Sequence, residues 1–311
     1  MNVRFRAATR ALIGRFRRQR PLRTGSLIVT ILGDAIAPRG GALTLGSLIR
    51  LARPFGLTER LVRTSVARVA QEGWLISRRA GRNSEYRLST QGRRRFAEAT
   101  QRIYGAGSDV WSGGWSIVLT GSARHASRER LRRELRWLGF GQLDTGVFAH
   151  PGRQPQEVER LIADLGAPTA LTLQARSAGP ASDRRLVQIG WDFEHLSRSY
   201  ARFVAGFQEV DAASRGRARP GEAPEDAAAP FVVRTLLIHE YRRIHLRDPL
   251  LPQVLLPAGW IGREAYELCR RLYQQVFAGA EAFVSAQAET LQGPLPAANS
   301  EAHARFGGIT L

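Results

Sequence analysis

The sequence predicts an α+β chain of several domains: an N-terminal winged helix-turn-helix, a central ferredoxin-like α/β unit and a mainly helical C-terminal domain. Three observations predict it. Two short amphipathic helical patterns joined at a glycine run into a basic hairpin pattern within Leu45–Leu88; strand and helix patterns alternate from Trp111 to Arg176; helical periodicity prevails from Trp191 onward. Apolar residues recurring every three or four positions mark the helices, and short apolar or alternating runs mark the strands. The segments are a basic arm at 1–20, the winged module at 21–104, the central unit at 111–180 and the C-terminal domain at 190–311. Gly105–Ser108 is a joint, and 211–230 is a surface loop in which Ala212–Pro230 lacks apolar periodicity.

In the first module, Leu45–Phe55 forms a short amphipathic helix and Gly56–Leu57 a tight turn. Thr58 suits the N-cap of a second helix, which continues to about Glu72 before Gly73 stops it. At 100° per residue Val62, Val66 and Val69 share one side, with Arg60, Arg63, Thr64, Ala67 and Gln71 opposite. Those outward residue types suit a major groove: Arg grips guanine O6 and N7, Gln grips adenine, and Thr reaches a base or a phosphate. The same pattern alone also describes a solvated helix face. The segment after the helix decides between the two. Trp74–Ser77 starts a strand, Arg78–Ser84 is a polar loop, and Glu85–Leu88 returns, so a basic hairpin trails the helix in the manner of a wing. Arg60, Arg63, Thr64 and Gln71 are then the candidates for base edges. Arg68, Arg79, Arg82 and Arg87 are candidates for phosphates, with Arg78 and Asn83 in the hairpin and Thr58 at the helix start.

Charge placement supports this. Residues 1–105 hold 22 arginines against Asp34, Glu59, Glu72, Glu85 and Glu98, so +17 of the net +19 falls there. Such asymmetry is the footprint of a polyanion-binding module joined to near-neutral domains. Every basic side chain is arginine; a GC-rich genome accounts for the residue type but not for its placement. The acid-free first twenty residues resemble a transit peptide or an arm along phosphates, and the module after them favours the arm. No apolar run reaches the roughly 18 residues of a membrane span, and the lone Cys269 fits a reducing bacterial cytoplasm.

In the central unit, Trp115–Thr120 is a buried-strand pattern and Ser127 caps a helix running to Leu138, with Leu131, Leu135 and Leu138 on one face. Gly146–His150 is a second strand, Pro155–Leu165 a second helix and Thr169–Ala175 a closing strand.

The chain resembles the PaaX family, repressors of phenylacetate catabolism. The resemblance is carried by Val62–Val69 leading to Glu72–Leu75, by Gly81–Leu88, by Trp115, and by His239–Arg243 followed by Asp248–Pro252, Leu255–Pro257 and Trp260–Gly262. It implies a repressor of an aromatic-acid operon that binds double-stranded operator DNA as a homodimer. It also implies release by an aryl-CoA thioester such as phenylacetyl-CoA. Arginines beside aromatics suit a thioester carrying phosphates and an apolar tail, which makes His239, Tyr241, Arg242, Arg243 and Trp260 the candidate effector contacts. The simpler reading of Asp248–Pro252 is a helix stop.

Enzymatic readings are weaker, and neither a cofactor nor a metal is expected. The central unit resembles a CRISPR-adaptation nuclease subunit, which needs a carboxylate at the end of its first strand to hold a metal. Here Val118–Gly121 ends that strand without one, Asp109 precedes it and Asp144 lies in a loop. His239–Glu240 lacks the second histidine of a zinc helix, since position 243 is Arg. The six histidines show no ligand spacing.

Overall fold

The computed structural model describes residues 3–81, 83–105, 111–121, 125–153, 155–215 and 227–308. The chain forms two compact units. The first comprises Met1–Gly105, Ala201–Arg243 and Arg263–Leu311; the second comprises Ala106–Tyr200 and Ile244–Gly262. This division differs from the segments read off the sequence. Most of the segment expected as a separate C-terminal domain folds with the N-terminal module, because its helices supply the partners of that module's buried charges.

The first unit opens with α1 (Val3–Arg18), a full helix where a phosphate-binding arm is expected. Phe5, Ala8, Leu12 and Phe16 fall on one face and are buried, and that apolar stripe outweighs the arginines between them. Next comes α2 (Thr24–Ile31), which widens into a π turn over Leu32–Ile36. A short β1 (Ala42–Thr44) leads to α3 (Leu45–Ala52), α4 (Glu59–Gln71), β2 (Leu75–Ala80), β3 (Asn83–Leu88) and α5 (Thr90–Tyr104). The three strands form one antiparallel sheet in the order β1-β3-β2. The expected Leu45–Phe55 helix ends at Ala52, and Arg53–Phe55 tightens into a 3-10 turn around Pro54, which has no N–H to give.

The second unit carries β4 (Trp115–Leu119), α6 (His125–Trp137), β5 (Gly141–Asp144), β6 (Val147–His150), α7 (Pro155–Asp164), β7 (Leu171–Ala175) and α8 (Pro180–Gly190). Its sheet order, β5-β6-β4-β7, with every neighbour antiparallel, is the βαββαβ ferredoxin-like arrangement. Val118 and Phe148 face Leu131 and Leu135 of α6 and Val158 and Ile162 of α7. Trp115 and Ala149, on the other side, pack with Val187, Phe193, Leu251 and Leu255. Ser127 sits inside the first turn of α6 rather than capping it, since the helix starts at His125.

The remaining elements are α9 (Phe193–Ser214), α10 (Ala229–His245), α11 (Gly262–Gln287), the two-residue strands β8 (Glu289–Thr290) and β9 (Gly293–Pro294), and α12 (Ser300–Ala304). Part of the expected 211–230 loop is therefore helix; residues 216–226 lie outside the described ones. No helix among the described residues is long and apolar enough to cross a membrane.

The first unit is tied together by Asp34, carried on the π turn. Its Oδ1 accepts from Tyr104 at 2.6 Å, Tyr273 at 3.0 Å and Arg305 at 3.0 Å, and its Oδ2 faces Arg234 Nε at 2.9 Å. Arg234 and Arg39 both reach Glu281 of α11, and Arg39 also donates to Pro296 O at 2.8 Å. Arg305 lies over the Tyr104 ring at 4.4 Å. Burial, then the Asp34 charge, pushes the Tyr104 hydroxyl well above its ordinary range, so it stays protonated and donates.

Candidate nucleic-acid interface

The outward helix is α4. Thr58 sits in extended backbone and its Oγ1 accepts from Leu61 N at 3.3 Å, which caps the first turn. Val62, Val66 and Val69 are buried, and α4 packs against α2 and α3. Gly56 joins α3 to α4 at φ +73°, a conformation costly for residues with a Cβ; a Cβ there would also stand 3.1 Å from Arg17 of α1.

The other side of α4 faces solvent. Thr58, Arg60, Arg63, Thr64, Arg68 and Gln71 are all exposed. Arg63 pairs with Glu59 at 2.6 Å and Arg68 with Glu72 at 3.4 Å, each one turn away. Thr64 Oγ1 donates to Arg60 O at 2.9 Å, and Leu61 beside it is exposed. Arg60 makes no ion pair among the described residues.

Behind α4 stands the β2–β3 hairpin, turning at Gly81 with φ +58°. Only Leu75 of β2 is buried; Arg78 and Arg79 are exposed and unpaired among the described residues, and Ile76 is exposed beside them. Arg82 and the Asn83 side chain lie outside the described residues. Arg87 is exposed, 3.5 Å from the buried Glu85, whose Oε2 accepts from Leu291 N at 2.9 Å. The hairpin is anchored at its base: Ser89 Oγ donates to Gly73 O at 2.6 Å and accepts from Gly92 N at 2.9 Å.

Structure thus brings the described members of the sequence-predicted set onto one helix and its trailing hairpin. The apolar members of that face, Leu61 and Ile76, escape a reading based on charge. Their signal is a break in the polar stripe: large apolar residues at positions where the helix and hairpin patterns demand solvent.

Four of the five candidate effector residues lie on α10 in the first unit, and Trp260 lies in the second. His239 is fully buried, 3.2 Å from Thr30 Oγ1 and edge-on to Phe16. Burial, reinforced by Arg242 and Arg243, holds its imidazole well below the usual histidine range. Arg242 donates to Thr30 Oγ1 at 2.9 Å and to Ser26 O and Oγ at 2.8 Å, and burial pushes its pKa down to about 10. Tyr241 packs on Phe203, and Arg243 donates to Glu240 at 3.0 Å. Trp260 belongs to the second unit, against Phe193 and Tyr200. In this structure His239 and Arg242 fasten α10 to α2.

Among the described residues no three His, Cys, Asp or Glu side chains gather in a way that could hold a metal. Asp144 is exposed at the end of β5 and accepts from Thr145 N.

A protein of this build falls in the class of two-unit α+β proteins that pair a basic, solvent-facing helix and hairpin with a ferredoxin-like sheet. Within that class, the chain belongs to the PaaX family: the PaaX-like protein model matches residues 23–92, the central Cas2-like domain model 108–187 and the C-terminal domain model 191–286. It is 37% identical over 295 residues to the transcriptional repressor PaaX of Escherichia coli strain K12, which covers 94% of this chain and 92% of that protein. Among solved structures it is similar in fold to the uncharacterized protein Rv0674 from Mycobacterium tuberculosis. That match has a TM-score of 0.51 and 24% identity, and covers 76% of this chain and 89% of the other.

Proposed function

We propose that this protein is a cytoplasmic bacterial transcriptional repressor that binds double-stranded operator DNA through a winged helix-turn-helix in its first unit. The observation that carries the reading is the outward face of α4 continued by the β2–β3 hairpin, with Arg60, Arg78 and Arg79 free of ion pairs among the described residues. A helix buried on one face by valines and lined on the other by Arg, Thr and Gln fits the major groove. Arg60, Arg63, Thr64 and Gln71 read base edges there, and Arg68, Arg79, Arg82 and Arg87 contact phosphates. Arg63 enters the groove by exchanging one guanidinium contact with Glu59 for a guanine edge; five N–H donors let it keep the rest.

Two copies on a partly palindromic site place two such helices one helical turn apart. The operon under control is of the aromatic-acid, phenylacetate type, and an aryl-CoA thioester such as phenylacetyl-CoA releases the repressor by favouring a conformation with lower operator affinity. Identity to a repressor along nearly the whole chain supports the first half of this reading, and the family supplies the second. The test is a mobility shift on promoter DNA flanking the gene, titrated with a panel of acyl-CoA esters. Tight binding that outcompetes random DNA at physiological salt, weakened by one aryl-CoA and not by free CoA, is the expected outcome. Equal affinity for operator and random DNA would sink the repressor reading.

A further inference from the structure

We propose that Leu61 reads thymine, its side chain packing on the 5-methyl group of a thymine in the major groove. This role depends on the DNA reading above and gives the operator an apolar determinant beside its hydrogen-bonded ones.

Of the four large apolar side chains of α4, Val62, Val66 and Val69 are buried, whereas Leu61 is 40% exposed. It stands in the first turn, and recognition helices present that end to base edges. Thr58 Oγ1 accepts from its backbone N–H, so the cap fixes the turn that carries it. With about 3.6 residues per turn, Leu61 lies about 60° around the helix from Thr64 and about 20° from Arg68. Both of those neighbours are exposed, so the leucine is framed by polar and cationic groups rather than continued into an apolar patch. A second protein seated here would find one leucine among arginines. Duplex DNA meets the arginines with phosphates and bases, and the leucine with the groove floor.

The groove's chemistry then names the occupant. Base edges there offer nitrogen and oxygen acceptors, amino donors and a single kind of apolar group, the thymine methyl. Arg60, Arg63, Thr64 and Gln71 suit the polar groups; a leucine has nothing to give them. Pressed on the amino group of cytosine, it strips water and returns no hydrogen bond. Against the thymine methyl both partners leave water at no polar cost, and burial of one such carbon corresponds to about fourfold in affinity. Leu61 therefore favours thymine and penalises cytosine at one position of each half-site.

The probe is the promoter fragment flanking the gene, amplified with either thymidine or deoxyuridine triphosphate. Deoxyuridine keeps every hydrogen-bonding group of thymidine and removes only the methyl. In anisotropy titrations the wild type should bind the deoxyuridine duplex more weakly. Synthetic duplexes carrying single replacements should trace a loss of about fourfold per half-site to one position, where cytosine should cost more than deoxyuridine. Leu61→Ala keeps the Thr58 cap, which uses the backbone, and alanine favours helix, so its circular-dichroism spectrum should be unchanged. This variant should lose about fourfold on the thymine site and be indifferent to deoxyuridine at that position. Any effect of deoxyuridine on duplex shape persists in the variant, so the comparison isolates the contact. Leu61→Met, which restores apolar reach, should recover the preference. If Leu61→Ala weakens thymine and deoxyuridine duplexes alike at every position, the proposal is overturned while operator binding stands. A wild type that binds the promoter selectively but ignores deoxyuridine throughout has the same consequence. A wild type with no preference for promoter over random DNA defeats the DNA reading and this assignment together.

Discussion

Arg63 sits at the middle of α4 with its guanidinium 2.6 Å from Glu59 and more than half of its side chain in solvent. If it reads a base, Arg63→Ala should weaken operator binding by about 1–3 kcal/mol and relax the preference at one base pair. A fluorescence-anisotropy titration on operator and random duplexes checks this; equal loss on both would make the residue a phosphate contact. His239 gives a second prediction of the same size class. Its folded imidazole is held neutral by burial, while the unfolded chain's histidine takes up a proton near pH 6.5. The unfolded state therefore binds more protons below that pH. Stability is complete above about pH 6.5 and falls by about 1.4 kcal/mol for each pH unit below it, until the folded group itself titrates. Urea midpoints from pH 7.5 to 5 should show this decline in the wild type, and His239→Asn should lack this component. At this scale the sequence was informative about α4, whose valine stripe and Thr58 cap are local signals. It gave no sign of the internal partners of His239, Tyr241 and Arg242. The hydroxyl and carbonyl partners of His239 and Arg242 at Thr30 and Ser26 lie more than two hundred residues away, and no spacing rule reaches that far.

Among the elements, α1 and the π turn after α2 depart most from expectation. The arginines of α1 suggested an arm along phosphates. Its buried Phe5, Leu12 and Phe16 were equally visible at helical spacing, but an amphipathic stripe says only that something covers it. The π turn had no sequence signal at all, although it carries the one carboxylate around which Tyr104, Arg234, Tyr273 and Arg305 converge. Removing one member of a buried charge cluster strands the others. Asp34→Ala should thus cost about 3–5 kcal/mol in chemical denaturation, whereas Glu194→Ala, which breaks the exposed Arg198 pair on α9, should cost less than about 1 kcal/mol. Comparable losses would mean that the cluster contributes little. The ferredoxin-like unit was easier to read, because α6, α7 and three of its four strands have short-range patterns, although α8 was not foreseen. The missing strand, β5, is four residues long and starts at a glycine.

For the molecule as a whole, the concentration of +17 in residues 1–105 predicts operator binding that weakens steeply with salt. Arg79→Ala should lower the slope of log affinity against log salt by about one per copy, with little change in sequence preference. A changed preference at constant slope would mean that the hairpin reads bases. The same residues 1–105 are not a self-sufficient module, although the composition shift at Gly105 invites that reading. Arg39 donates to Pro296 O and pairs with Glu281, Ser47 Oγ donates to Glu289 O, Arg50 donates to Gln287 O, and Asn299 N donates to Pro38 O. Arg305 closes on Asp34 from 271 residues further along the chain. Contacts so distant along the chain form slowly. The clasp at Asp34 thus closes late in folding, after the local helices and hairpin that it joins have formed.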